Sequence, residues 1–141
     1  MLSTWLFAAG ITVHCLIGCV IGEIIGLSIG VTMQLHPVAT MALATILAFI
    51  TGMLLATTSV VRNKRTTYML AIRIVWLGEV VSISVMEIVM NGVDYYIGGV
   101  GAQSITDPIF WKGLLFAIPA GYFAALPVNY YLIKKNLKKC H

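Results

Sequence analysis

The 141-residue chain is 60% hydrophobic and only 10% charged, and its mean hydropathy is +0.96. Soluble domains carry about 25% charged residues, so these totals exclude one and predict an all-α integral membrane protein, a single domain over residues 1–141 with no room for a soluble catalytic domain. The net charge of +4 does not signal nucleic acid: the basic residues gather in Arg62-Asn63-Lys64-Arg65 and in Lys134, Lys135, Lys138 and Lys139, beside apolar runs, where the preference of cytoplasmic loops for Lys and Arg accounts for them.

Four spans are predicted, each near the ~20 residues that cross a bilayer. The first covers about 4–33 and stops at Gln34-Leu35-His36-Pro37, because the residue before a proline is pushed out of the helical region. Within it Gly10, His14, Gly18, Gly22, Gly26 and Gly30 recur every fourth position and form one slowly drifting ridge. Lipid gives helices no hydrophobic reason to associate, so such a ridge serves close backbone approach to another helix. It is expected to dock the chain to other membrane subunits or to a second copy. Leu16-Ile17-Gly18-Cys19 resembles a lipoprotein processing site, but Met1 to Trp5 carry no basic residue and the apolar run continues to Met33, which argues against cleavage.

The second span covers about 38–61, and its threonines can bond back to their own helix. The third, about 68–91, carries Arg73, Glu79 and Glu87 among apolar residues; Arg73 lies close enough to the surface to snorkel. A glycine-rich loop with Asp94 and Asp107 follows, then a fourth span over about 111–133 that contains Pro119 and Pro127. The basic flanks place both termini in the cytoplasm of a multi-pass protein of the cell membrane. Tyr95, Tyr96, Phe110 and Trp111 mark the outer interface, and Tyr68, Tyr130 and Tyr131 the inner one. Cys15 and Cys19, one helical turn apart, are poorly placed to bridge, and Cys140 is expected to be a free thiol in the tail.

Counting 1.5 Å per residue, His14 and Cys15 lie about 15 Å from the inner surface, Cys19 about 21 Å, Glu23 about 27 Å, Glu79 about 17 Å and Glu87 about 29 Å. Acids at such depth are costly unless protonated, paired or hydrated, which makes them functional candidates. Imidazole, thiols and thioethers together select Cu(I), with Zn(II) the second choice. The expected metal ligands are His14, Cys15, Cys19 and Glu23 on the first helix and Met86 and Glu87 on the third, with Glu79 on a proton or ion pathway. Packing alone also accounts for buried Cys and Met, and no paired zinc-type motif is present.

His14-Cys15-Leu16 with Gly18-Cys19, Gly22-Glu23 and Gly26, then Leu47-Ala48-Phe49 with Gly52, Ser82-Ile83 with Met86-Glu87-Ile88 and Asn91, Phe110-Trp111, and Pro127-Val128-Asn129 with Leu132-Ile133 resemble the blocks of a family of small prokaryotic four-helix membrane proteins catalogued as a domain of unknown function. The resemblance implies a compact four-span bundle and brings no settled activity. Met90 stands where that family often has an acid, which argues against Met90 as a ligand, and Glu79 stands where it often has the shorter acid. Asn129 belongs to a family block near the inner end of the last span, as a helix-to-helix hydrogen-bond donor or part of a gate.

Three functions follow. The first is binding or transport of a transition-metal ion, copper favoured; the second is a non-catalytic accessory subunit of a larger membrane complex, possibly a copper enzyme. The third is proton-coupled export of a small cation around Glu23. An enzyme is not expected, since His14 and Cys15, as neighbours on a helix, point about 100° apart.

Overall fold

A computed structural model describes residues 2–138; Lys139 and Cys140, with the thiol expected there, lie outside the described residues. Four helices account for most of it: α1 (Leu2–Thr32), α2 (Pro37–Lys64), α3 (Tyr68–Ile97) and α4 (Pro108–Lys134). Each is long and apolar enough to cross a membrane, and no strand occurs among the described residues.

The helix ends are written locally. Gln34 adopts a left-handed conformation after α1; Pro37 then opens α2, and the His36 ring nitrogen Nδ1 accepts from the Val38 N–H at 3.3 Å. Pro at the first helical position has no N–H to leave orphaned. Arg65, at φ +48°, turns the chain into α3. At the far end of α3, Gly98 takes φ +99° and donates to the Asp94 carbonyl at 2.9 Å, a left-handed cap that glycine adopts without steric cost. Asp107 then caps α4 by accepting from the Ile109 N–H at 3.1 Å, with Pro108 in the first turn. Short connections make the helices alternate in direction. One end of the bundle carries the basic turn and the start of α1; the other carries the loop from Gly98 to Asp107.

Around the bundle the order is α1, α2, α3, α4, so α1 and α3 face each other diagonally across the centre. The tightest seam is α1 against α2, and the glycine ridge makes it. A Cβ on Gly18 would stand 2.8 Å from the Gly52 Cα; on Gly22 it would strike the Leu47 and Ala48 backbone, on Gly26 the Ala44 backbone, and on Gly30 the Thr40 side chain. The Thr51 hydroxyl donates across this seam to the Gly18 carbonyl at 2.6 Å. From Gly18 to Gly30 the ridge expected to dock the chain to another subunit or a second copy packs against α2 of the same chain. What α1 leaves outside is Val13, Ile17, Ile21, Ile25 and Ile29, a branched aliphatic stripe suited to acyl chains. Gly10, at the splayed end of the seam, has nothing within reach of an added Cβ.

The third helix runs on to Ile97 rather than stopping at Asn91. Gly92 faces open space and interrupts nothing, so Asp94, expected in a loop, is a buried helical residue. The fourth helix continues through Pro119 and Pro127, which a bundle tolerates where neighbouring helices shield the freed carbonyls.

Candidate intramembrane site

Along the centre of the bundle, polar and sulfur-bearing side chains of α1 and α3 meet in three layers. Nearest the basic turn, Glu79 of α3 is 1% exposed and pairs with the Lys138 ammonium at 3.2 Å. The same ammonium donates to the Asn129 Oδ1 at 2.8 Å, the Asn129 amide donates to the Thr12 hydroxyl at 2.9 Å, and that hydroxyl donates to the Ala8 carbonyl at 2.7 Å. The Cys15 thiol completes the layer, 3.5 Å from the Glu79 Oε2 and 3.7 Å from the Ser82 hydroxyl.

Lys138 reaches this place because the chain folds back after α4. Asn136 takes φ +55°, and the Leu137 N–H donates to the Leu132 carbonyl at 2.8 Å. The returning backbone passes over Gly78, where an added Cβ would stand 3.0 Å from the Leu137 carbonyl oxygen and 3.1 Å from the Lys138 Cα. In the sequence Lys138 reads as one more basic flank residue; in the fold its ammonium is buried.

The middle layer is sulfur. Cys15, Cys19, Met86 and Met90 pack together with Ala48, Ile83, Ala117 and Ala125 in one buried cluster. Both thiols are unoxidised. The two thioether side chains lie over Gly121 of α4, where an added Cβ would come within 2.7 Å of the Met90 sulfur.

The layer nearest the glycine loop is acidic. Glu23 is fully buried, and neither carboxylate oxygen has a hydrogen-bond partner among the described residues. Glu87 and Asp94 lie close enough for their charges to act on it. The Glu87 Oε2 accepts from the Asn91 amide at 3.2 Å, and that amide also reaches the Thr45 hydroxyl at 3.0 Å and the Glu87 carbonyl at 2.9 Å. The Glu87 Oε1, the Asn91 Oδ1 and both Asp94 oxygens have no partner among the described residues. Asp94 fits only because Gly99 and Gly113 carry no side chain there: a Cβ on either would collide with its carboxylate.

The blocks quoted above find their counterpart in a sequence profile. The profile of Domain of unknown function (DUF4396) matches residues 4–138. The chain belongs to that family. No curated protein and no solved structure matches it.

In this DUF4396 chain, five of the six expected metal ligands line the interior: Cys15, Cys19 and Glu23 from α1, and Met86 and Glu87 from α3. The sixth does not join them. His14 lies on the α1–α2 side, beside Leu55, Thr58, Ser59, Arg62 and Asn63, because it occupies the next position of the glycine ridge, about 100° round from Cys15. No three His, Cys, Asp or Glu side chains among the described residues are close enough together to hold one metal ion, so the candidates follow one another along an axis. Glu79, expected on an ion pathway, is ion-paired.

Asp94, Thr12, Ser82 and Lys138 were not singled out from the sequence as site residues. For Asp94 a signal existed: Glu87, Asn91 and Asp94 are spaced by four and three, which puts them on one helical face. For Lys138 the only signal is Gly78, the small residue before Glu79 that leaves room for the returning chain. Asn129 proves to be a donor between helices.

Proposed function

We propose that the chain is a multi-pass protein of the cell membrane, with both termini in the cytoplasm, that binds a soft transition-metal ion inside the bundle and passes it along the α1–α3 axis. Copper(I) is the first choice of ion and zinc(II) the second. The observation that carries this reading is the sulfur layer of Cys15, Cys19, Met86 and Met90, buried beside the acidic layer in which Glu23 has two unpartnered oxygens. Buried carboxylates without donors demand compensation, and this layer offers acceptors and negative charge, which suits a cation. Thiolate and thioether donors favour Cu(I) over harder ions. Glu23 and Glu87 receive the ion, Cys15 and Cys19 hold it once a thiol proton is released, and Met86 adds thioether donation, with Met90 beside it. His14 has no part in this route, and the proposal assigns no catalytic residue.

The accessory-subunit reading rests on the glycine ridge and on the lack of room for a soluble domain; from Gly18 to Gly30 the ridge packs against α2, which leaves it only the second of these. The test is elemental analysis of the purified protein after anaerobic Cu(I) loading. Wild type should retain copper in stoichiometric amount, and Cys15→Ser/Cys19→Ser should lose most of it while keeping its helical content. Equal copper in both proteins would overturn the reading.

A further inference from the structure

On the flank of the bundle, between α2 and α3, lies a cleft of about 560 Å³. Met41, Ala42 and Phe49 of α2 and Ile88 of α3 give it apolar walls, and Glu87 and Asn91 lie at its base. In a spanning chain such an opening faces acyl chains, where a polar base is costly unless it serves a ligand. Thr45 and Ser84 also line the cleft; the Ser84 hydroxyl donates to the Val80 carbonyl, and two acceptors at the base stay without partners. The Glu87 Oε1 and the Asn91 Oδ1 are buried acceptors without partners, while the Asn91 amide hydrogens are taken by Thr45 and by Glu87 itself. A ligand that satisfies this base brings at least two donor hydrogens and a positive charge, and one that satisfies the walls brings a hydrocarbon tail.

We propose that this cleft binds hydrophobic primary ammonium ions that enter from the lipid, the ammonium donating to the Glu87 and Asn91 acceptors and the tail lying between Phe49 and Ile88. Neutral alcohols lack the charge, anions are repelled, and quaternary ammoniums lack the N–H groups that these acceptors need. The site goes beyond the proposed metal route, with which it shares only Glu87, and its ligand reaches it from the side.

The probe is a decylamine that carries a dansyl group at the far end of its chain and keeps its primary amine free, titrated by fluorescence into the full chain in phosphatidylglycerol nanodiscs, beside its alcohol and trimethylammonium analogues. Wild type should bind the amine about tenfold or more tightly than either analogue, and Glu87→Gln should remove that preference. Ala42→Phe, which fills the cleft from an exposed position on its α2 wall, should weaken amine binding by a similar factor without touching the polar base. Cys15→Ser/Cys19→Ser should bind the amine as wild type does, which separates failure of this site from failure of the metal route. Displacement by phosphatidylethanolamine would identify an aminophospholipid as the natural amine, and lack of displacement a free one; either keeps the ammonium site. Equal binding of alcohol and amine, or unchanged binding in both Glu87→Gln and Ala42→Phe, overturns it.

Discussion

Gly22→Ala should drive α1 away from α2 and lower the melting temperature sharply, while Gly10→Ala should leave it unchanged or slightly raised. At Gly22 the new methyl would fall on the backbone of Leu47 and Ala48. Backbone cannot swing aside as a flexible side chain can, so relief requires the helices to separate and lose the contacts on either side. Overpacking typically costs about 1–3 kcal/mol, and a clash between two backbones belongs at the upper end. Gly26→Ala, against Ala44, should behave alike. At Gly10 nothing stands near the added methyl, and alanine is favoured over glycine in a helix interior by about 0.5–1 kcal/mol. Thermal unfolding in detergent, followed by tryptophan fluorescence, reads all three variants. If Gly22→Ala melts with wild type, the seam described here is wrong.

The second large effect is expected at the buried ion pair. Lys138→Met leaves the Glu79 carboxylate in the interior without its cation, and Glu79→Gln leaves the ammonium there without its anion. Removing one partner of a buried pair costs about 3–5 kcal/mol, whereas replacing both with apolar groups of similar size is often nearly neutral. Each single variant should therefore unfold well below wild type, and Glu79→Met/Lys138→Met should recover much of the loss. The hydrogen bond to Asn129 limits that recovery, because its Oδ1 loses its donor. A double variant as unstable as the sum of the two singles would show that the groups do not interact. A Lys138→Met protein indistinguishable from wild type would return Lys138 to the role of an exposed flank charge.

Hydropathy alone located four spans, since each apolar run is as long as the bilayer is thick and little else is present. Periodicity was equally informative about faces and silent about partners. It put Gly18, Gly22, Gly26 and Gly30 on one ridge, yet an internal helix and a second molecule would use that ridge in the same way. The same periodicity ties His14 to the glycines by four-residue spacing, a signal that the expected ligand set of His14 with Cys15 passed over. The end of α3 was hidden by Asn91-Gly92, which reads as a helix stop. With no neighbour at Gly92 and a left-handed glycine waiting at position 98, the helix passes through and carries Asp94 inward. Lys138 was beyond reach for a simpler reason: Lys134, Lys135 and Lys138 are chemically alike, and only the turn at Asn136 selects one of them for the interior.

The two contacts at opposite ends of the sequence also set an order of assembly. Helices α1 and α2 leave the ribosome first, and their seam joins sequence neighbours, so the hairpin can close while α3 is still being made. Lys138 is translated after all four helices. Glu79 lies on the third helix and so is made long before the ammonium that pairs with it. A chain cut between α4 and Lys138 would thus keep these four helices and lack the contact that closes the layer around Glu79.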